Sequence, residues 1–303
     1  MLEGGKLRNE KTLGVDVGGT KIGWMFSKNG AEKSGEIPTP ANLTNAELKN
    51  IIKELVKRTN ANSVGIALPG FVQNSFVSKL PNIKNVKNLH FEKNILGAKI
   101  FAENDVKCAA LAQWWSRGAK KNDSFCIVAP GTGIGGAIVH EGKLLRGKNN
   151  CAGEFGHMKI LLLGKKENLG KIIQWEEICG GAGIEKQYFE RVGKRKSAKE
   201  IFLDKSLDAK AICNSAAFLF GVGLANIASA LNPNEIIIAG SVGFALMKKY
   251  RTDVFSGYRK CAISPVAFTK IGVCKMNNPS LEGAMLLAKG EENEKIKNFL
   301  GKN

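Results

Sequence analysis

The chain has 303 residues, 44% hydrophobic and 24% charged, which excludes a disordered or collagen-like polymer and suits one large domain or two lobes. Its apolar runs, such as 160–163 and 236–239, are far too short to span a bilayer, and its start, MLEGGKLRNEKT, lacks the apolar stretch of a secretory signal, so neither a membrane anchor nor export is expected. The 45 basic and 27 acidic residues give a net +18, which fits a nucleic-acid or polyanion binder, a Lys-rich solubilising surface, or a field that draws in an anionic substrate; the basic residues are dispersed, and the clusters at 191–196 and 248–251 are short and lack the aromatic interleaving of a single-strand platform, so no specific nucleic acid is expected.

Residues 12–17 read as a short apolar strand. Strands at 21–27 and 31–37 follow, separated by the turn signal Lys28-Asn29-Gly30. A helix is predicted over 44–59, with Thr44 as N-cap and Glu47 completing a capping box. Residues 63–68 form a strand ending at Pro69-Gly70, 99–102 another, and 106–117 a helix after Asn104-Asp105. The pattern then restarts with a strand at 124–129 and a hairpin of 135–140 with 143–145. A long apolar helix at 208–231, strands at 235–239 and 268–273, and a helix at 280–289 complete it.

This alternation predicts an α/β chain. Strand, glycine turn, hairpin and helix occur in that order from Thr12 and again from Ser124, so two similar lobes facing a ligand-binding cleft are expected. The expected lobes are 1–118, completed by 290–303, and 119–289. The seven cysteines are scattered, odd in number and without a Cys-x-x-Cys pair, as expected of reduced thiols in the cytoplasm.

Gly131-x-Gly133-x-x-Gly136 formally matches a dinucleotide fingerprint, and Glu154 stands where a ribose-binding acid would. That fingerprint must open a helix, however, and residues 137–145 have β character. The glycines therefore read as a strand-to-strand turn, either an ordinary hairpin or a nest whose backbone amides hold an anion. Two such turns, Asp16-Val-Gly18-Gly19-Thr20 and Gly131-Thr132-Gly133-Ile-Gly135, would grip a polyphosphate chain, with hydroxyls from Thr20 and Thr132. Asp16 is a candidate Mg²⁺ ligand, since that ion favours carboxylate and phosphate oxygens. Lys21 either adds charge to the phosphate site or is a solvated strand-edge lysine. The chain carries neither a P-loop nor the protein-kinase motif set.

Asp16-Val-Gly-Gly-Thr-Lys21, Pro69-Gly70, Glu103-Asn104-Asp105, the 131–136 turn and Ala152-Gly153-Glu154-Phe-Gly156-His157 occur in order. Together they resemble the ROK family of repressors, open reading frames and sugar kinases, over about 12–289. The resemblance implies an actin-like fold of two ribonuclease H-like lobes, and Mg²⁺- and ATP-dependent phosphorylation of a hexose, glucose first. Fructose, mannose, N-acetylglucosamine and N-acetylmannosamine are alternatives. It implies that Asp105 is the catalytic base, and that Asn104, Glu154, His157 and Glu176 bind sugar hydroxyls, with Glu177 adjacent to the last. It places sugar discrimination around Gly70 and Asn82, the adenosine side near Gly240 and Ser241, and a homodimer or homotetramer in solution. The chemistry is coherent on its own terms: a hydroxyl is a poor nucleophile, and a carboxylate in reach must take its proton. An Asp between strand and helix is equally a common N-cap, and His157 could be a core histidine.

Many ROK proteins hold a structural zinc through the motif His and three following Cys. Here 161–175 contains no Cys, so no zinc is expected, and Trp175 with the Leu run is expected to hold the loop by packing. The run Ala239-Gly240-Ser241 departs from a triple glycine, which keeps polyphosphate open as an alternative donor. ROK repressors carry a winged helix-turn-helix, whereas only eleven residues precede the first strand here, so a DNA-reading module is not expected; a non-catalytic sugar sensor is the remaining alternative.

Overall fold

In the computed structural model, residues 11–73, 75–81, 83–162, 171–290 and 292–301 are described. β1 (Lys11–Val17) pairs antiparallel with β2 (Lys21–Lys28), and β2 with β3 (Ala31–Pro38). Residues 12–15 and Val17 are buried, with Asp16 half-buried between Val15 and Val17. A strand covered on both faces reads as a continuous run rather than an alternation. α1 (Asn45–Thr59) starts as predicted: the Thr44 hydroxyl accepts the Glu47 N–H, the Glu47 carboxylate accepts the Thr44 N–H at 2.8 Å, and Leu48, Ile52, Leu55 and Val56 are buried.

β4 (Ser63–Leu68) lies parallel to β1. β5 (Val72–Gln73), β6 (Phe76–Leu80) and β7 (Ile83–His90) form a separate three-stranded antiparallel sheet. β8 (Asn94–Ile95) leads to β9 (Ala98–Asn104), which is parallel to β4 and runs without a break into α2 (Asp105–Ser116). The main sheet has the order β3-β2-β1-β4-β9-β8.

The second start is β10 (Phe125–Pro130), antiparallel to β11 (Ile134–His140), followed by β12 (Lys143–Leu144). A hairpin of β13 (Lys159–Leu162) and β14 (Lys171–Gln174) precedes α3 (Glu176–Cys179), α4 (Gly181–Val192), α5 (Ala198–Leu203) and α6 (Leu207–Leu231). β15 (Glu235–Ile238) is parallel to β10; α7 (Ser241–Lys249) and α8 (Arg251–Cys261) lead to β16 (Lys270–Val273), parallel to β15. α9 (Pro279–Ala288) and α10 (Glu294–Leu300) end the described chain. The plan of β1, β2, β4 and β9 thus recurs as β10, β11, β15 and β16: an antiparallel pair joined by a glycine turn, then two further parallel strands.

The chain divides into two compact units. One comprises Met1–Asp123, Glu141–Ala152 and Met276–Asn303; the other comprises Ser124–His140 and Gly153–Lys275. The sequence reading assigned 119–289 to the second lobe, whereas 119–123, 141–152 and 276–289 group with the first. The reason for the last segment is visible in the packing of α9. A Cβ on Gly65 would lie 1.9 Å from the Ala284 carbonyl oxygen, and one on Gly283 only 1.8 Å from the Cys108 carbonyl oxygen, so α9 is seated against β4 and α2.

α6 is the one described helix long and apolar enough to cross a membrane by length and composition, a longer apolar element than the runs noted in the sequence. It serves as the core helix of the second unit. A Cβ on Gly221 would lie 1.9 Å from the Val254 carbonyl oxygen and one on Gly257 2.0 Å from that of Phe218, so α6 and α8 touch backbone to backbone. All seven cysteines are free thiols, five of them buried.

Candidate active site

In the first unit, β1 delivers Asp16 to the end of the sheet. Asp16 is in register with Ala67 on β4, and Ala67 with Glu103 on β9, so these carboxylates share one row of the sheet. Burial pushes Asp16 up to about 6, against the pull of Lys21. Burial foremost, then the charges of Glu103, Asp105 and Asp16, pushes the Cys108 thiol well up. Three carboxylates from β1, β9 and α2 therefore gather around one buried position.

The Gly18-Gly19-Thr20 turn is held by the Gly18 N–H donating to the Lys21 carbonyl at 2.9 Å, by the Thr39 hydroxyl donating to the Gly18 carbonyl at 2.7 Å and by the Thr39 N–H donating to the Thr20 carbonyl at 3.0 Å. A Cβ on Gly18 would come within 2.8 Å of the Lys21 carbonyl oxygen. The Lys21 ammonium pairs with Glu36 on the neighbouring strand, both half-exposed, which is the strand-edge arrangement rather than one directed at the turn.

Asn104 is the N-cap of α2: its Oδ1 accepts the Lys107 N–H at 3.0 Å. The capping role that an Asp at this junction often fills thus falls to Asn104, and Asp105 occupies the first helical position, half-buried, its Oδ1 accepting the Val106 N–H at 2.8 Å. The Asn104 Nδ2 donates to the Gly70 carbonyl at 3.1 Å. Gly70 has φ +95°, and a Cβ there would lie 2.6 Å from the Lys79 carbonyl oxygen, so this turn needs glycine. Asn82 lies outside the described residues.

In the second unit, the Gly131 N–H donates to the Gly133 carbonyl at 2.9 Å, while the Gly131 and Thr132 carbonyls accept from Gly181 and Ala182 at the start of α4. Two of the turn's amides are occupied, that of Gly131 internally and that of Ile134 by the Glu176 carboxylate at 3.1 Å. Glu176 also fills the space over Gly133 and Gly156, where added Cβ atoms would stand 2.5 and 2.7 Å from its Oε2. Its neighbour Glu177 is exposed and accepts the Gln174 N–H at 2.8 Å, so Glu176 is the member of the pair turned to the glycine turn.

Gly135 pairs with Ala129 in the hairpin, and Gly136 serves packing: a Cβ there would meet the Phe155 ring at 2.3 Å and the Gly153 carbonyl oxygen at 2.4 Å. This close approach seats Glu154, half-buried, and the 3-10 turn Phe155–His157 on β11. His157 is exposed rather than in the core, and its Nδ1 lies 2.7 Å from Gln174 Oε1. Gln174 went unnoticed in the sequence; it stands directly before Trp175, which is fully buried, stacks on Phe220 at 5.2 Å and donates its Nε1–H to the Leu219 carbonyl at 3.0 Å. Gly240 has φ +74°, and a Cβ there would lie 2.3 Å from the Pro130 carbonyl oxygen; it lets Ser241 open α7 beside the end of β10. Gly181, at the start of α4, approaches Val242 of α7 and Ala198 of α5, so three helix starts meet near Gly131.

Two mixed α/β units of repeated topology, each opening on a glycine turn, define an actin-like protein. A crystal structure of a ROK hexokinase from Thermus thermophilus matches with a TM-score of 0.79 at 24% identity, covering 93% of this chain and 99% of that one. The N-acetyl-D-glucosamine kinase of Histophilus somni (strain 129Pt) is 32% identical over 76% of this chain and 83% of its own length. The glucokinase of Halalkalibacterium halodurans is 28% identical over 93% and 96%. The sequence profile of the ROK family matches residues 12–291, and the chain belongs to that family.

Proposed function

We propose that the protein is an ATP-dependent hexose kinase, with glucose as the first acceptor, forming glucose 6-phosphate. The observation that carries this reading is the corner at the end of β9. Asn104 caps the helix through the Lys107 N–H, the Asp105 carboxylate accepts the Val106 N–H at the first helical position, and Asp105, Glu103 and Asp16 all lie close enough to Cys108 for their charges to raise its thiol.

Asp105 accepts the proton of the attacking sugar hydroxyl as its oxygen bonds to the γ-phosphorus and the bond from that phosphorus to the bridging oxygen breaks, releasing ADP; this proton transfer contributes on the order of a hundredfold to ten-thousandfold. Asn104, Glu154, His157 and Glu176 orient the sugar. Polar groups in such a site discriminate strongly, because an analogue that lacks a hydroxyl leaves a partner unpaired. The turns at 18–20 and 131–135 position the phosphates, with Gly240 and Ser241 on the nucleoside side. Asp16 fits a divalent cation: a carboxylate whose ionised form is disfavoured by burial is stabilised by a nearby double positive charge. Mg²⁺ bound there with ATP would neutralise charge on the transferring phosphoryl group.

The similarity to an N-acetyl-D-glucosamine kinase favours a second acceptor, N-acetylglucosamine. ADP release from Mg·ATP across glucose, fructose, mannose, N-acetylglucosamine and N-acetylmannosamine tests both, with Asp105→Asn as control. Turnover of one sugar that the variant loses supports the kinase and names its acceptor. Turnover with polyphosphate alone reassigns the donor. Silence with every donor alongside measurable sugar binding replaces the kinase with a sugar-sensing regulator.

A further inference from the structure

Asn150 lies in the 141–152 segment of the first unit with a left-handed backbone, φ 56°, which asparagine tolerates. A carboxamide has two N–H donors and two acceptor positions, and Asn150 uses all four. Its Oδ1 accepts from the Lys107 ammonium at 2.9 Å and from Arg146 Nη1 at 3.0 Å. Its Nδ2 donates to the Val72 carbonyl and, at 3.3 Å, to Glu103 Oε1.

The partners are what give this hub meaning. Glu103 is buried; its Oε1 also accepts the Asn104 N–H at 2.9 Å, and its Oε2 pairs with Arg146. Lys107 is 2% exposed, in the first turn of α2. Val72 begins β5, two residues after the Gly70 carbonyl that Asn104 already holds. One neutral amide therefore stands between a buried ammonium and a buried carboxylate, and ties the 70–72 turn to the Asn104-Asp105 corner. The Lys107 ammonium also donates to the Asn150 backbone carbonyl, so the side chain adds a second bond to it and carries the link on to Glu103 and Val72.

We infer that Asn150 is a positioning residue. Acting through Glu103 and Val72, it sets the base-bearing corner and the 70–72 turn relative to each other, and thereby controls turnover and the choice between hexoses. The inference rests on the reading of Asp105 as base and of the Gly70 turn as sugar-discriminating.

The test compares wild type, Asn150→Ala and Asn150→Ala with Lys107→Met. The double variant also removes the ammonium that has lost its bond to the Asn150 side chain, and so should restore stability without restoring the tie. Expected in both variants is a fall in kcat of roughly tenfold to a hundredfold, a changed ratio of kcat/KM between two hexoses, and an unchanged KM for ATP. Hydrogen exchange should rise together in peptides covering 70–73 and 103–107. Recovery of kcat along with melting temperature in the double variant would reduce Asn150 to a structural residue and overturn the inference. So would exchange that rises only in 146–152. Should Asn150→Ala not fold, Asn150→Asp is read the same way, since it keeps the acceptors for Lys107 and Arg146 and loses the bond to Val72. A wild type without turnover would sink the kinase reading instead, and the exchange data would still decide whether Asn150 ties the two segments.

Discussion

Glu176 holds the backbone of Ile134: its Oε2 accepts that N–H at 3.1 Å and packs over Gly133 and Gly156. The glycine turn of the second unit is thus fixed by the side chain that we also propose orients the sugar. Glu176→Ala strands the Ile134 amide and opens space above two glycines. It should cost about 1–3 kcal/mol in stability and raise KM for both sugar and ATP. Glu176→Gln, which retains an acceptor oxygen, should recover most of the stability. Denaturant melts and initial-rate kinetics on both variants check this.

Gly136 offers a test of packing without chemistry. Its added Cβ would face the Phe155 ring and the Gly153 carbonyl oxygen, and the backbone oxygen cannot swing aside. Gly136→Ala should destabilise by about 1–3 kcal/mol or more and lower affinity for sugar more than for ATP, because Glu154 and His157 follow that contact. Calorimetry of sugar and nucleotide binding separates the two effects.

Asp16 predicts a pH dependence whose sign is fixed. Its ordinary value of 3.8 is raised to about 6 in the folded protein by burial. Between these values the folded state keeps a proton that the unfolded chain has released. Its contribution is full below about 4 and is lost as pH rises through about 6, on the order of 2–3 kcal/mol in all. Without divalent cation, Asp16→Asn should therefore melt higher than wild type at pH 7, and the gap should close at pH 4. Mg²⁺ should raise the wild-type melting temperature at pH 7 and leave that of Asp16→Asn unchanged.

His157 is contacted by Gln174, on the strand that Trp175 anchors. Protein stripped by a chelator and resupplied with Mg²⁺ alone should keep its full sugar affinity. Gln174→Leu should raise KM for sugar several-fold with a smaller change in kcat, since a lost neutral hydrogen bond is worth about 1 kcal/mol. Elemental analysis and sugar titrations check the two statements.

The central strands β1, β4, β10 and β15 were legible because they are buried almost throughout, and β1 and β10 run into glycine turns. The capping box at Thr44 was legible because it is a purely local pattern. Other elements were hidden for specific reasons. β7 buries Ile83, Val86 and Leu89, a spacing of three that no strand template contains, next to a register shift at Lys79 and Leu80. α4 opens on Gly-Ala-Gly, which reads as loop; there Gly181 must approach the Gly131 carbonyl and Gly183 the Glu177 carbonyl, and no larger residue fits. At the site, motif residues announced themselves through their spacing. Asn150, Arg146 and Gln174 did not, because their partners are distant in sequence and their roles exist only once the chain has folded.

Arg146 reaches in two directions: Nη1 to Glu103, and Nε to the Leu300 carbonyl at 3.0 Å, 154 residues further along the chain. One guanidinium thus ties the end of β9 to the last turn of α10, so the final setting of Glu103 depends on a segment that the chain supplies only after the whole second unit.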